Sequence, residues 1–98
     1  MPMYVSLLQF TDQGIRTVRE TTKRAEAAQA LATKLGVKSV EVLWTLGRFD
    51  VVLVGEAPDD ETMTAFALSL GAQGNVKSQT MRAFRAKEFD AILAKMPR

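Results

Sequence analysis

Asp50 stands just past the run Thr45-Leu46-Gly47-Arg48-Phe49, where a carboxylate at the mouth of a strand could act as a general base or hold a ligand. The same placement suits a structural acid, because Asp at a strand start accepts bonds from neighbouring turn N–H groups or pairs with a nearby Arg. Tyr4 is the single phenol of the chain and the second catalytic candidate, although a place in a first strand equally suits packing with its OH hydrogen-bonded. Trp44, Thr45, Arg48 and Arg82 are the candidate ligand contacts. Three of them have a plain alternative: core or interface packing for Trp44, a solvated turn charge for Arg48, and charge pairing with Glu41 across a subunit seam for Arg82.

The chain contains neither histidine nor cysteine. That removes Ser-His-Asp catalysis, histidine bases, thiolate nucleophiles, disulfides and His- or Cys-ligated metals, so neither a metal nor a cofactor is expected. Thr11 to Arg16 could hold an anion at a helix start, but a simple N-cap explains the same residues and no phosphate-loop glycine spacing accompanies them. Arg16, Arg19, Lys23 and Arg24 are interrupted by Glu20 and Glu26, which reads as solvated helix pairing. A formal net charge of +2 is too small to imply a nucleic-acid partner. No apolar run is long enough to span a bilayer, and the first residues do not form a signal peptide, so a cytoplasmic protein without a membrane partner is expected.

These residues need elements to position them, and 98 residues suffice for one domain, 1–98. Met3 to Phe10 reads as a strand. A helical register follows from Thr11-Asp12 through Ile15, Val18, Thr22, Ala25, Ala28, Leu31, Ala32 and Leu35 to Gly36. Gly14 and Thr21-Thr22 weaken it, which leaves room for two pieces with a fresh start near Thr21. Strands 40–46 and 49–56 come next, then Pro58-Asp59-Asp60 and a helix through Met63, Phe66, Ala67 and Leu70 that Gly71 and Gly74 bracket. Asn75 to Phe84 reads as a fourth strand and Glu88 to Lys95 as a tail helix. The order βαββαβ plus a C-terminal helix is the ferredoxin-like arrangement, an α+β fold with a four-stranded antiparallel sheet and both crossover helices on one face.

Gly47-Arg48 suits a two-residue type II′ turn, which pairs Leu46 with Phe49, Thr45 with Asp50, Trp44 with Val51, Leu43 with Val52 and Glu41 with Val54. One face then carries Val40, Val42, Trp44, Leu46, Phe49, Val51 and Leu53 toward the helices. The other mixes Leu43, Val52 and Val54 with Glu41, Thr45 and Asp50. Aliphatics in that number call for a cover, and the acids call for water or partners, so two sheets packed face to face in a homodimer or higher homo-oligomer are expected, with a wet interior able to hold a small ligand.

The chain also resembles the GYD domain family of the dimeric α+β barrel superfamily over essentially its whole length. The resemblance rests on Met3-Tyr4-Val5-Ser6-Leu7, Thr11 to Arg16, Lys23-Arg24-Ala25-Glu26, Trp44-Thr45-Leu46-Gly47, Ala57-Pro58-Asp59-Asp60-Glu61, Leu68-Ser69-Leu70-Gly71 and Gly74-Asn75-Val76. Phe49 stands where the family's name-giving motif has tyrosine. The resemblance implies a homodimer whose sheets close into a barrel, and it carries no assigned activity. The expected function is a small-ligand-binding or accessory protein that meets a partner protein. The alternatives are a cofactor-free monooxygenase or isomerase built on Asp50, Tyr4, Trp44 and Arg82, and, remotely, a tautomerase using Pro2 as an N-terminal amine.

Overall fold

The computed structural model describes residues 1–98 apart from the side chain of Val40, so the expected helix-facing place of that side chain lies outside the described residues. Strand β1 (Met3–Phe10) alternates as its sequence does: Tyr4, Ser6 and Leu8 are buried, while Met3, Val5 and Leu7 stay half-exposed. It is paired on both sides. β3 (Val51–Glu56) lies antiparallel along one edge, from Met3↔Glu56 to Leu8↔Val51, and β4 (Val76–Ala83) along the other, from Met3↔Ala83 to Phe10↔Val76. β2 (Lys38–Trp44) completes the four-stranded sheet in the order β2-β3-β1-β4, which is the ferredoxin-like order.

The β2–β3 ladder has the expected register, with Trp44↔Val51, Leu43↔Val52 and Glu41↔Val54. A shift between Ser39 and Glu41 then changes it before Ser39↔Gly55. The connection differs from the two-residue turn. The ladder stops at Trp44 and Val51, and residues 45–50 form a wider loop in which Gly47 takes φ +113. Leu46 and Phe49 therefore do not pair, and Leu46 is fully exposed rather than seated under the helices. The loop is closed by the Thr45 N–H, which donates to the Asp50 carbonyl at 2.9 Å, so the expected Thr45–Asp50 partners still meet, while Asp50 Oδ2 accepts from the Phe10 N–H of β1.

The first helical stretch is divided, as its glycine and threonines suggest. α1 (Asp12–Arg16) is one turn capped by Thr11, whose Oγ1 accepts from the Gly14 N–H at 3.0 Å, and a 3-10 turn at Val18–Glu20 leads into α2 (Thr21–Leu35). Ile15 does not join the buried stripe; it is 52% exposed, because α1 and α2 are not one continuous helix. α2 ends on Gly36 at φ 83, with the Val37 N–H returning to the Ala32 carbonyl at 2.8 Å, a left-handed C-terminal cap. α3 (Asp60–Ala72) is capped by Asp59, whose Oδ1 accepts from Thr62 N–H at 2.8 Å. α4 (Ala86–Leu93) forms the tail and leaves Phe89 and Leu93 exposed.

The core lies between α2, α3 and one face of the sheet: Tyr4, Leu8, Val51 and Leu53 from the strands, Ala32 from α2, and Met63 and Phe66 from α3. Val42 packs against it from β2, so the expected helix-facing set holds for Val42, Val51 and Leu53. The opposite face carries Met3, Val5, Leu7, Leu43, Val52, Val54 and Met81, with no layer over it among the described residues.

Gly14 does more than weaken a helix. It is buried, and a Cβ built there would sit 2.0 Å from the Asn75 carbonyl oxygen. That contact belongs to the joint where Thr11 N–H donates to the same carbonyl at 3.1 Å. Gly14→Ala must push α1 off the start of β4, and we expect it to cost about 2 kcal/mol, lowering the thermal midpoint by roughly 10 °C. A calorimetric scan showing an unchanged or raised midpoint would remove the close-approach argument.

Candidate functional site

The structure brings Tyr4 and Arg82 together and leaves the other candidates elsewhere. Tyr4 is 3% exposed on the helix side of β1, and Arg82 faces the same side from the neighbouring position of β4. The Arg82 guanidinium lies 5.8 Å from the centre of the Tyr4 ring and 4.4 Å from that of Phe84, both within cation–π range. Within the chain its charge is matched by Glu88 at 3.9 Å. The Tyr4 OH donates to Asp60 Oδ1, at the first position of α3.

A cleft of about 820 Å³ opens beside this corner, between α3 and the outer strand β4. Met63, Ala67 and Leu68 form its apolar wall, and Ser78, Thr80 and Arg82 line the strand side. Burial, and then the bond to Asp60 and its negative charge, push the Tyr4 phenol up to about 12, only partly offset by Arg82. At neutral pH the phenol stays protonated and committed to Asp60. The corner can hold a ligand by hydrogen bonds and a cation, and its phenol is not poised for proton transfer near neutrality.

Asp50 has a structural task. Its Oδ2 accepts from Phe10 N–H at 2.8 Å, and its own N–H donates to the Leu8 carbonyl at 2.8 Å, so it closes the end of β1 where the ladder with β3 stops. Thr45 Oγ1 donates to the Phe49 carbonyl at 2.5 Å, Arg48 lies 5.7 Å from the Phe49 ring centre, and the Arg48 carbonyl accepts from Gln9 Nε2 at 2.9 Å. Trp44 is partly exposed and its Nε1–H donates to Thr21 Oγ1 at 3.1 Å. These four fasten the 45–50 loop and its flanks. Tyr4 and Phe10 lie six residues apart on β1, so the Asp50 end is about 20 Å from the Tyr4 corner, and no single site unites Asp50 with Tyr4.

Asp60 escaped the sequence reading, which saw it only as part of a helix start. Its one signal is the doubled acid Asp59-Asp60: the first caps α3, which leaves the second free to point back at the sheet. Arg24 is also more than a solvated helix charge, since it donates to the Thr17 and Gly14 carbonyls, both at 3.1 Å, and ties α1 to α2.

Residues 4–93 match the model of the GYD domain family. The chain belongs to the GYD domain family. This GYD domain is 34% identical over 94 residues to the glutamine synthetase and cystathionine beta-lyase binding protein of Thermus thermophilus, covering 95% of this chain and 99% of that protein. Among solved structures it is similar to MtbAldR at a TM-score of 0.67 and 13% identity, over 86% of this chain and 53% of that one, so it spans about half of that protein. It is also similar to the C-terminal domain of MgtC from Mycobacterium tuberculosis, at 0.54 and 14% identity over 87% of this chain and 89% of that one. Those two likenesses are of fold.

The raised phenol gives a direct test. Because the folded value, about 12, lies above the free value of 10.0, burial of neutral Tyr4 contributes stability that is complete below pH 10 and is lost as the pH climbs toward 12. Absorbance titration of this single tyrosine should show a midpoint near 12, and Asp60→Ala should move it down toward 10.0. A native midpoint at the free value would refute the Tyr4–Asp60 corner.

Proposed function

We propose that this GYD domain is a cytoplasmic accessory protein that works as a homodimer or larger homo-oligomer and binds a partner enzyme. The observation that carries the reading is that one small chain leaves two apolar surfaces uncovered. The first is the open sheet face, where Val5, Leu7, Val52 and Val54 lie at the centre and Leu43 and Met81 flank them. The second is the tail, where Phe84, Phe89, Leu93 and Met96 are all exposed.

The sheet face suits a second copy. It is broad and aliphatic at its centre, and charges stand at its margin in Glu41, Glu56 and Lys77, a pattern that two copies related by a twofold axis satisfy with the acids left at a wet rim. The tail surface then remains for a partner. That the Thermus thermophilus relative is named for binding two enzymes supports a protein partner of the same kind here. Asp50 and Tyr4 both commit their polar atoms within the chain, which favours binding over the cofactor-free catalytic reading.

Two variants separate the surfaces. Val52→Lys places a charge at the centre of the sheet face and should convert the dimer to monomer by light scattering at micromolar concentration. Leu93→Asp should leave the dimer intact and weaken co-purification of glutamine synthetase or cystathionine beta-lyase from the protein's own host by about tenfold or more, the loss of one buried anchor. A wild-type monomer would end the dimer reading. Capture of neither enzyme by the wild type would end the partner reading.

A further inference from the structure

Two spaces open on the helix side. The smaller, about 80 Å³ under the alanines of α2, is of the size that ordered water fills, and the Ser39 Oγ in its wall is buried without a hydrogen-bond partner among the described residues. The larger, the cleft of about 820 Å³ between α3 and β4, runs along an edge of the sheet.

The two edges of the sheet differ. β2, on one side, is interrupted by the register shift between Ser39 and Glu41, and an irregularity of that kind blunts an edge against further pairing. β4, on the other, pairs with β1 over eight consecutive residues without a shift, contains no proline, and has Lys77 to Arg82 all exposed. Half of its backbone N–H and C=O groups therefore point outward along a regular edge, and no strand lies beyond it among the described residues.

Alongside that edge runs α3. Thr64, Ala67, Leu68 and Gly71 follow the three- and four-residue spacing of one helix side, and all four line the cleft. Only Leu68 is large, and it is 68% exposed; a Cβ at Gly71 would meet nothing within 4 Å. A strand added to β4 would set alternate side chains into this space, against Leu68 and its small neighbours, while its backbone bonded the open edge.

Charge selects the strand. β4 carries two cations, Lys77 and Arg82, and no acid. Arg82 has Glu88 at 3.9 Å, whereas Lys77 has no carboxylate within ion-pairing distance among the described residues. Pairing β4 with its own copy would gather four cations along one seam, which disfavours a second copy at this edge. An acid opposite Lys77 is favoured instead. Ser78 and Thr80 face the cleft and Lys77 the other side of the sheet, so the residues opposite them divide in the same way. We propose that the β4 edge captures, by antiparallel strand addition, an extended segment of a partner protein with apolar residues opposite Thr80 and Ser78 and a carboxylate opposite Lys77. Toward its C-terminus the segment reads apolar, any residue, apolar, acid.

The probe is fluorescein-labelled Thr-Thr-Ile-Thr-Ile-Glu with an amidated C-terminus. Its anisotropy should saturate on titration with the intact protein, and amide exchange should slow at alternate residues of β4 but not in α4. Thr-Ile-Thr-Ile-Thr-Glu has the same composition with its apolar residues moved to the other face, and it should bind at least about fivefold more weakly. Leu68→Ser should also weaken the first peptide. Lys77→Glu should weaken it about fivefold and bind better the analogue that ends in Lys. The proposal is overturned by a titration that does not saturate up to about 1 mM, by unchanged β4 exchange on binding, by equal affinity of the two peptides, by full binding in Leu68→Ser, or by a Lys77→Glu protein that does not prefer the Lys-ended analogue. The inference rests on the accessory reading only in taking a partner protein as the source of the segment. Lost enzyme capture with peptide binding intact removes that source and leaves the edge site; lost peptide binding with capture intact removes the edge site and leaves the tail.

Discussion

The constraint on which the rest of the structure depends is that β1 is bonded residue for residue on both of its edges. A strand in that position cannot slip by one residue without turning Tyr4, Ser6 and Leu8 out of the core and Met3, Val5 and Leu7 into it, so both neighbours are locked to the same two faces. Everything on the helix side follows from that lock. Val51 and Leu53 of β3 fall beside Leu8 and Ser6, Arg82 of β4 falls beside Tyr4, and Ser6 meets Thr80 in a hydroxyl pair at 2.9 Å. The open face follows equally. Its aliphatic centre is the other half of the same alternation, left without a layer because both long helices are used on the first side.

Side chains and backbone groups from the connections close the ends of this sheet. At one end Asp50 takes the Phe10 N–H just past the last rung of the β1–β3 ladder, and Thr11 joins β4 through the Gly74 and Asn75 carbonyls at 2.5 and 3.1 Å. Those bonds occupy backbone groups that the ladders cannot reach, which is why Gly14 must come so close to Asn75. At the other end the Ala57 N–H reaches the Pro2 carbonyl at 3.0 Å, and Arg85 joins Glu56 at 3.3 Å. The tail helix therefore starts from a fixed point even though its apolar side chains remain uncovered. The carboxyl of Glu88, held below its usual range by the Arg85 N–H and by the charges of Arg82 and Arg85, anchors the first turn of that helix.

The two spaces on the helix side arise from different causes. The cleft beside Tyr4 lies where α3 runs alongside the outer strand β4, with Ser78, Thr80 and Arg82 accessible on that strand. The cavity under α2 exists because that helix presents alanine where α3 presents methionine and phenylalanine. One is open and polar on its strand side; the other is small and lined mostly by apolar side chains. A single two-layer domain thus carries a hydrogen-bonding corner, a small cavity and two uncovered apolar surfaces, each traceable to a choice of side-chain size or strand length.

The order of elements, the break before Thr21 and the register of β2 on β3 were legible in the residues, because alternation, capping residues and glycine stops are local properties that survive folding. The same local evidence placed Tyr4 and Arg82 among the candidates for a site. It could not pair them, since their meeting depends on β4 lying beside β1 across most of the chain length, and it passed over Asp60 because a helix-start acid gives no sign of the strand it will face. The loop at 45–50 differs from the expected turn for a related reason: Gly47 permits a tight reversal, but the sequence gives no sign that Asp50 will bond Phe10 of a distant strand or that Leu46 will be left exposed. The sequence by itself determined the ferredoxin-like arrangement and the sidedness of its strands, through periodicity. Only the tertiary structure decided which polar groups meet, where α2 leaves space above the sheet, and which hydroxyl is left without a partner, because those depend on distances between segments that no spacing along the chain encodes.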